Sequence, residues 1–573
     1  MKIFLAVIFL FHMSQGALDS TWWKYTNLYE VFVPAFKDGN GDGMGDIKGL
    51  ISKLDHFVEL GIETVYLTPI YPSPMADSGY DITDFTAIHP SMGTMKDFDT
   101  LMRETKARGI KVVLDMVVNH SSDEHPWFIK SVNKTEPYTD YYIWKNPKGF
   151  DKKGKPIPPN NWLNQFDGTA WRWNKKRKQF YMHQFTSEQP DFNLRNPRVI
   201  NEMKKIFNFW LRKGVAGFRL DAVKHLVEDD QFRDEPAISE KVDMYNTTNV
   251  NDLKHIYTHN LWESYQIVHE LRMVCEKFVN RSADFERILI TEDYVTGDML
   301  YRYYDTKDYK IAQLPLNFIL DYIDRYVNAT VYDEMINEYL DGLPTGATPC
   351  WNSENHDKWR KALIFTEEYA FIFPTMTMLL PGVAYLYYGQ EIGVTGSHIR
   401  SDLAVNKYAD DFTQSSRDSY RLPMQWDDSL NSGFSNNRKT ILPLTTNYWR
   451  INVKNQKQQK YSHYHMFKKM LKLRKTETIK HGDFKSYVIS TWVFAFTRTL
   501  KGHESYVAIF NMGTDTEFVD LHNSIDSLPK SLVVEIASRN SGYKPGDKLS
   551  SSPKIPKILV LRPSATLVFS SDN

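Results

Sequence analysis

Along most of the chain, short apolar runs alternate with segments whose apolar residues recur every three or four positions. "LYEVFVPAF" (residues 28–36), "ETVYLTPIY" (63–71) and "IKVVLDMVVNH" (110–120) have the near-continuous apolar character of strands covered on both faces. Between them, "IKGLISKLDHFVELG" and "MKDFDTLMRETKARG" have helical spacing and close on a glycine. The alternation returns as "EMKKIFNFWLRKG" before "VAGFRLDAVKH", and as "WESYQIVHELRMVCEKFV" before "ERILITEDY". Strand, helix, strand with buried strands predicts a parallel sheet. Eight such units closing on themselves, a (β/α)8 TIM barrel, would use residues 18–120 and 190–480.

The rhythm fails twice. Residues 121–189 hold no clean unit, only loop sequence rich in Trp, Pro, Asn and Lys. They predict an inserted subdomain after the third strand, over the carboxyl ends of the strands, where barrel enzymes do chemistry. After about residue 480 the period changes to two, in "SYVISTWVFAFTRTL", "SYVAIFNMG", "SLVVEIAS" and "KILVLRPSATLVFS". Residues 481–573 therefore predict a C-terminal antiparallel β domain, expected as a sandwich.

The first residues, "MKIFLAVIFLFHMSQGALDS", join a basic Lys2 to an apolar run too short to span a bilayer, then to small residues. This reads as a secretory signal peptide over residues 1–17, and the chain as secreted and extracellular. The apolar stretch at 371–389 is broken by Pro374, Pro381 and Gly382, and the C-terminal tail by Arg562 and Pro563, so neither a membrane span nor a lipid anchor is expected. Asn133, Asn246, Asn280 and Asn328 begin glycosylation triplets.

At 573 residues the chain exceeds one ordinary core. Seventy basic residues balance seventy acidic ones, which argues against a nucleic-acid partner. Aromatic residues reach 14%, a content that suits a cleft for sugar rings but also ordinary core packing. Cys275 and Cys350 fall on well-separated parts of the barrel and are expected as free thiols.

Polar residues gather at the ends of the predicted strands: Asp115, Asn119 and His120; Arg219, Asp221 and His225; Glu292; then Asn355, His356 and Asp357. In a barrel such positions converge on one pocket. Carboxylates gathered with an arginine and histidines suit glycoside chemistry, which needs one protonated carboxyl and one ionised. Arg219, two residues before Asp221, shares its strand face and should keep Asp221 ionised. Glu292, beside the apolar "ILI", is placed for the acid role.

"DMVVNH", "GFRLDAVKH", "ITEDY" and "ENHD" resemble the strand-end regions of the α-amylase superfamily of glycoside hydrolases. "QPDFN" (189–193) and "RDSYRLPMQW" (417–426) resemble signatures of its oligo-1,6-glucosidase and α-glucosidase branch, with Leu422 where Thr is usual. The likeness runs from about Trp22 to the C-terminus and is greatest to the secreted maltases of insects. It implies Asp221 as nucleophile, Glu292 as general acid/base and Asp357 as the third carboxylate, acting with retention of configuration. It implies Tyr80, His120, Arg219 and His356 as glucose-binding residues. It implies Asp77, with Arg417 or Arg421, as the closure that makes a pocket rather than a groove. Ala222, where the branch's α-1,6 enzymes carry Val, implies maltose, sucrose and short α-1,4 malto-oligosaccharides as substrates. Two alternatives stand beside this α-glucosidase: a non-catalytic binding or receptor protein of the same fold, and a mainly transglucosylating enzyme.

"DGNGDGMGD" (38–46) offers Asp38, Asn40, Asp42 and Asp46 as oxygen ligands, with the Met44 carbonyl between them. The hard donors favour Ca2+, with Mg2+ as the alternative, and the stretch is no EF-hand, because Gly49 stands where its last ligand, Glu, would be. The resemblance implies a structural calcium at this loop; the chemistry needs no cofactor.

Overall fold

The computed structural model describes residues 21–571 except 167, 283–284, 401, 407–415, 527, 530 and 551–557. The expected signal peptide lies outside the described residues.

Eight parallel strands form the central sheet: β1 (Asn27–Val31), β2 (Thr64–Leu67), β3 (Lys111–Met116), β4 (Gly217–Leu220), β5 (Ile288–Thr291), β6 (Leu314–Pro315), β7 (Cys350–Trp351) and β8 (Val383–Tyr387). Their order is β6-β5-β4-β3-β2-β1-β8-β7. The first and last strands by sequence are thus neighbours, and the sheet is a barrel open only between β6 and β7. Just past those two strand ends, the Asn352 N–H donates to the Asn317 carbonyl at 3.3 Å and stitches the gap. Both faces of these strands are buried, Leu28, Tyr66 and Val113 in one core cluster and the alternate Tyr29, Val65 and Leu114 in another, which is why the strands read as unbroken apolar runs.

Helices follow the strands as their periodicity predicts. Met95–Ala107 starts on a capping box in which Thr94 and Asp97 satisfy each other's backbone N–H groups. Pro197–Arg212 and Trp262–Ser282 precede β4 and β5. The apolar run "LYEVFVPAF" is not strand throughout: the strand stops at Val31 and Val33–Phe36 turns helical, with Pro34 in its first turn. Cys275 and Cys350 are both free and buried.

The segment after β3 is loop-rich but not featureless. It carries the helix Pro126–Val132 and a three-stranded antiparallel sheet of Trp144–Lys145, Gln179–Met182 and Trp171–Asn174. Trp162, Trp171, Phe180 and Met182 make a small core of their own. At the C-terminus, Asp483–Val488, Val493–Thr499, Tyr506–Asn511, Thr566–Ser571, Ser531–Ala537 and Lys548–Ser550 form, in that order, a six-stranded antiparallel sheet. A two-stranded ribbon, Glu517–Asp520 with Ile558–Leu561, packs a separate core against it. Among the described residues no helix is long and apolar enough to cross a membrane.

Candidate active site

At the carboxyl ends of the barrel strands lies a cavity of about 210 Å3 whose lining includes Asp77, Tyr80, His120, Asp221, Glu292 and Asp357. Residues more than 250 positions apart meet there because parallel strands deliver all their carboxyl ends to one side. A second cavity, of about 110 Å3, lies under the C-terminal domain between Phe371, His463 and Arg539, and holds none of these groups.

Strand register builds the floor. Asp115 on β3 and Arg219 on β4 are Cα partners across the sheet, each next to the last residue of its strand. Arg219 Nη1 reaches Asp115 Oδ1 at 3.2 Å and Asp221 Oδ1 at 2.5 Å, and Nη2 stands 3.6 Å from Glu292 Oε2. Tyr66 and Tyr80 donate their hydroxyls to Asp115 Oδ2. One guanidinium therefore faces three carboxylates. Burial works against the charge of Arg219, but Asp115, Glu292 and Asp221 hold it on and raise its pKa well above the usual value. Burial, followed by the charges of Glu292 and Asp115, pushes the Asp221 carboxyl above the ordinary carboxylate range, against the pull of Arg219. This corrects the sequence reading in which Arg219 simply keeps Asp221 ionised: the cation is shared, and the cluster holds a proton tightly.

The opposite wall is built around Asp357. Its Oδ1 accepts from Arg417 Nη1 at 2.8 Å and Arg421 Nη2 at 2.7 Å, and its Oδ2 lies 3.1 Å from His356 Nε2. Burial would raise this carboxyl, but His356, Arg417 and Arg421 outweigh it and hold Asp357 well below the usual range. His356 in turn bonds Glu30 Oε1 on β1 through Nδ1 at 2.5 Å. Burial opposes protonation of that ring, yet Asp357 and Glu30 lift it to about 9, so it is an imidazolium at neutral pH. Tyr80 stacks on it, ring planes 8° apart. His120 is the contrast: burial lowers it to about 4 and leaves it neutral.

Asp77 Oδ1 is gripped by Arg417 Nη2. The alternative of Arg417 or Arg421 resolves here. Arg421 goes to Asp357, to Ser78 Oγ at 2.8 Å and to the His356 carbonyl. Arg219, His356 and Arg421 stand behind the lining rather than in it, each at most 2% exposed. Residues outside the candidate set also line the cavity: Gln189, Phe166, Phe185, Lys224, Tyr294 and Lys358 among them. Gln189, in "QPDFN", donates to Asp77 Oδ2 at 3.2 Å and to His120 Nε2 at 3.0 Å. Glu30 carried a readable signal, a lone charge inside an apolar strand; Phe166 and Lys358, in irregular sequence, carried none.

The 38–46 loop winds on itself. Asp38 Oδ1 accepts the N–H groups of Asn40 and Gly41, and its Oδ2 those of Gly43 and the Ser435 hydroxyl. Asp46 accepts from Gly39, Asn40 and Gly49. Asn40 and Asp42 accept from the N–H groups of Asp42 and Met44. Gly41 and Gly43 take positive φ, which lets the turn close. Among the described residues no three His, Cys, Asp or Glu side chains gather as a metal-ligand group.

Residues 30–482 match the alpha-amylase family (alpha amylase, catalytic domain). The chain is 38% identical over 538 residues to Maltase 1 of Drosophila virilis, covering 92% of this chain and 84% of that protein. It is also 35% identical over 550 residues to the amino acid transporter heavy chain SLC3A1 of Homo sapiens, covering 96% and 78%. Among solved structures, that of the alpha-glucosyl transfer enzyme XgtA superposes with a TM-score of 0.82 at 27% identity, covering 96% of this chain and 99% of that one.

Proposed function

The chain belongs to the alpha-amylase family, and from that premise we propose that it is a retaining exo-acting α-glucosidase, releasing α-glucose from the non-reducing end of maltose, sucrose and short α-1,4 malto-oligosaccharides. One observation carries the reading: Asp221 and Glu292 line the same cavity and share the Arg219 guanidinium.

Asp221 is the nucleophile. Arg219 lies 2.5 Å from it and 3.6 Å from Glu292, so of the two carboxylates Asp221 draws more on the shared cation. Asp221 Oδ attacks the anomeric carbon of the glucosyl unit while Glu292 gives its proton to the departing glycosidic oxygen. A glucosyl ester forms and the first product, glucose or fructose for the disaccharides, leaves. Glu292, now ionised, takes a proton from water. The water oxygen attacks the anomeric carbon from the face the first product vacated, Asp221 departs, and α-glucose is released. Asp357, kept ionised by three cations, accepts hydroxyls of the distorted sugar and supports positive charge on its ring. Tyr80 and His120 bind the same unit from the cavity wall; Arg219 and His356 act from behind the carboxylates they hold. Asp77 with Arg417 closes the pocket beyond the terminal sugar.

Kinship with a transporter heavy chain supports a non-catalytic alternative, and likeness to a glucosyl-transfer enzyme a transglucosylating one. The presence of all three carboxylates around one cavity favours catalysis. Rates on maltose, sucrose, isomaltose and starch, with product analysis at high sucrose, separate the readings. Starch as best substrate rejects the pocket, oligosaccharides as main product reject hydrolysis, and no glucose from any of them rejects the enzyme.

We also propose that the 38–46 loop takes a structural Ca2+. Its donors are all hard oxygens: side chains of Asp38, Asn40, Asp42 and Asp46 and the Met44 carbonyl. The Asp38 oxygens are already filled by four donors, so Asp38 would join by exchanging one of them. The ion would supply no chemistry. We further propose secretion through the leader at 1–17 and glycosylation at exposed Asn133 and Asn246. Asn328 already caps the helix Ala329–Gly342 through Val331, and Asn280 lies within Trp262–Ser282.

A further inference from the structure

We infer that Asn406 is a positioning residue that aims the Asp77 carboxylate at the closed end of the pocket and so enforces a free non-reducing end; the inference rests on the glucosidase reading above.

Asn406 is fully buried. Its Nδ2 donates to Asp77 Oδ1 at 3.0 Å and to Ser78 Oγ at 3.2 Å. Its own place is fixed from the other side. The N–H groups of Asn406 and Val405 both donate to Asp418 Oδ2, at 2.8 and 2.7 Å, and Ser416 Oγ donates to the Asn406 carbonyl at 2.8 Å. Asp418 follows Arg417 in the turn Arg417–Tyr420. One turn thus anchors Asn406 through a carboxylate and grips Asp77 through the neighbouring guanidinium. Ser78 is left-handed, with φ of 54°, a conformation disfavoured without glycine. Arg421 and Asn406 together hold its hydroxyl in place.

The consequence follows from counting acceptor positions. A carboxylate offers about four. Asp77 Oδ1 spends two, on Arg417 and Asn406, and Oδ2 spends one on Gln189. Among the described residues one position remains, on Oδ2, and Asp77 lines the cavity. It takes one sugar hydroxyl. A terminal glucose of an α-1,4 chain has a free 4-hydroxyl to donate; an internal unit has a glycosidic oxygen there and none. An internal unit would leave a buried acceptor unpaired, the kind of loss that discriminates strongly. Without Asn406, Oδ1 gains a second open position and the carboxylate can turn, so the penalty relaxes.

The test uses the purified full-length chain, with binding of 1-deoxynojirimycin, a glucose mimic, read by calorimetry and rates read on maltose and maltoheptaose. Losing a hydrogen bond to a charged group predicts that N406A weakens the probe about tenfold or more. KM for maltose should rise likewise, with kcat changed far less, and some maltoheptaose should be cut internally. In N406D, of equal size, a second carboxylate opposes Asp77. Relative to wild type at the same pH, its binding should recover between about pH 7 and pH 5, as the introduced carboxyl takes up a proton and can donate it. A merely structural substitution shows no such recovery. Wild-type-like binding and KM in N406A, or an equal loss in N406D at both pH values, overturns the inference; if N406A does not fold, the N406D comparison decides. Should the wild type bind the probe without cleaving maltose, the glucosidase reading fails while the binding arms still decide on Asn406.

Discussion

The backbone N–H of Ala222 donates to Glu292 Oε2 at 2.8 Å. Ala222 follows Asp221, has φ of 52° and lines the cavity. One peptide unit thus ties the proposed nucleophile to the proposed acid, and the residue there needs a left-handed backbone that a β-branched side chain adopts only under strain.

Ala222→Val should therefore lower kcat/KM for maltose by about tenfold, from strain of order 1–3 kcal/mol at this position and from loss of space beside the leaving group. The preference should move toward isomaltose. Paired rates on the two sugars check this, and an unchanged ratio removes Ala222 from the account of linkage choice.

Asp221→Asn should abolish turnover of maltose and of p-nitrophenyl α-glucoside alike, because both need the nucleophile. Glu292→Gln should lose about 10^2 to 10^4 on maltose but much less on the nitrophenyl substrate, whose leaving group needs no proton. Equal losses for Glu292→Gln on both substrates would contradict the acid role.

His356 carries a pH signature. Its folded value, about 9, exceeds the 6.5 of the unfolded chain, so its contribution to stability is fully present below 6.5 and is lost as pH rises through 9. Asp357 is depressed, so its share is present above the usual carboxylate value and is lost as pH falls below it. Melting curves of wild type and His356→Asn should differ most between about pH 4.5 and 6.5 and converge above 9. A constant difference across that range would mean the imidazolium is not what stabilises this wall.

Removing divalent ions with a chelator should lower the melting temperature, and added Ca2+ should restore it. At a hundred times Kd, an ion bound only by the native chain adds about 2.7 kcal/mol. Asp42→Ala should cancel the response while leaving the fold. A melting temperature indifferent to both treatments leaves the loop as a self-bonded turn, held by the Asp38 and Asp46 amide contacts alone.

Much of this molecule is written locally. Apolar runs such as "KVVLDM" can satisfy their backbone only beside other strands, and the helical period between them forces crossover connections, so the barrel is legible in sequence. Asp221 and Glu292 are legible for the same reason: a carboxylate at the end of a buried strand has one place to point; Asp357, in the loop beyond Trp351, is legible only through its "ENHD" motif. What the sequence left open depends on closure of the ring. Only the closed barrel brings Glu30 of the first strand to His356 beyond the seventh, and only the pairing of three neighbouring strands lets Arg219 serve Asp115, Asp221 and Glu292 together. Only folded loops choose Arg417 over Arg421 for Asp77 and set Asn406 beside it. Periodicity reports which face of an element leaves water. Charge sharing and the state of a proton depend on distances between groups hundreds of residues apart, and those exist only once the chain has closed.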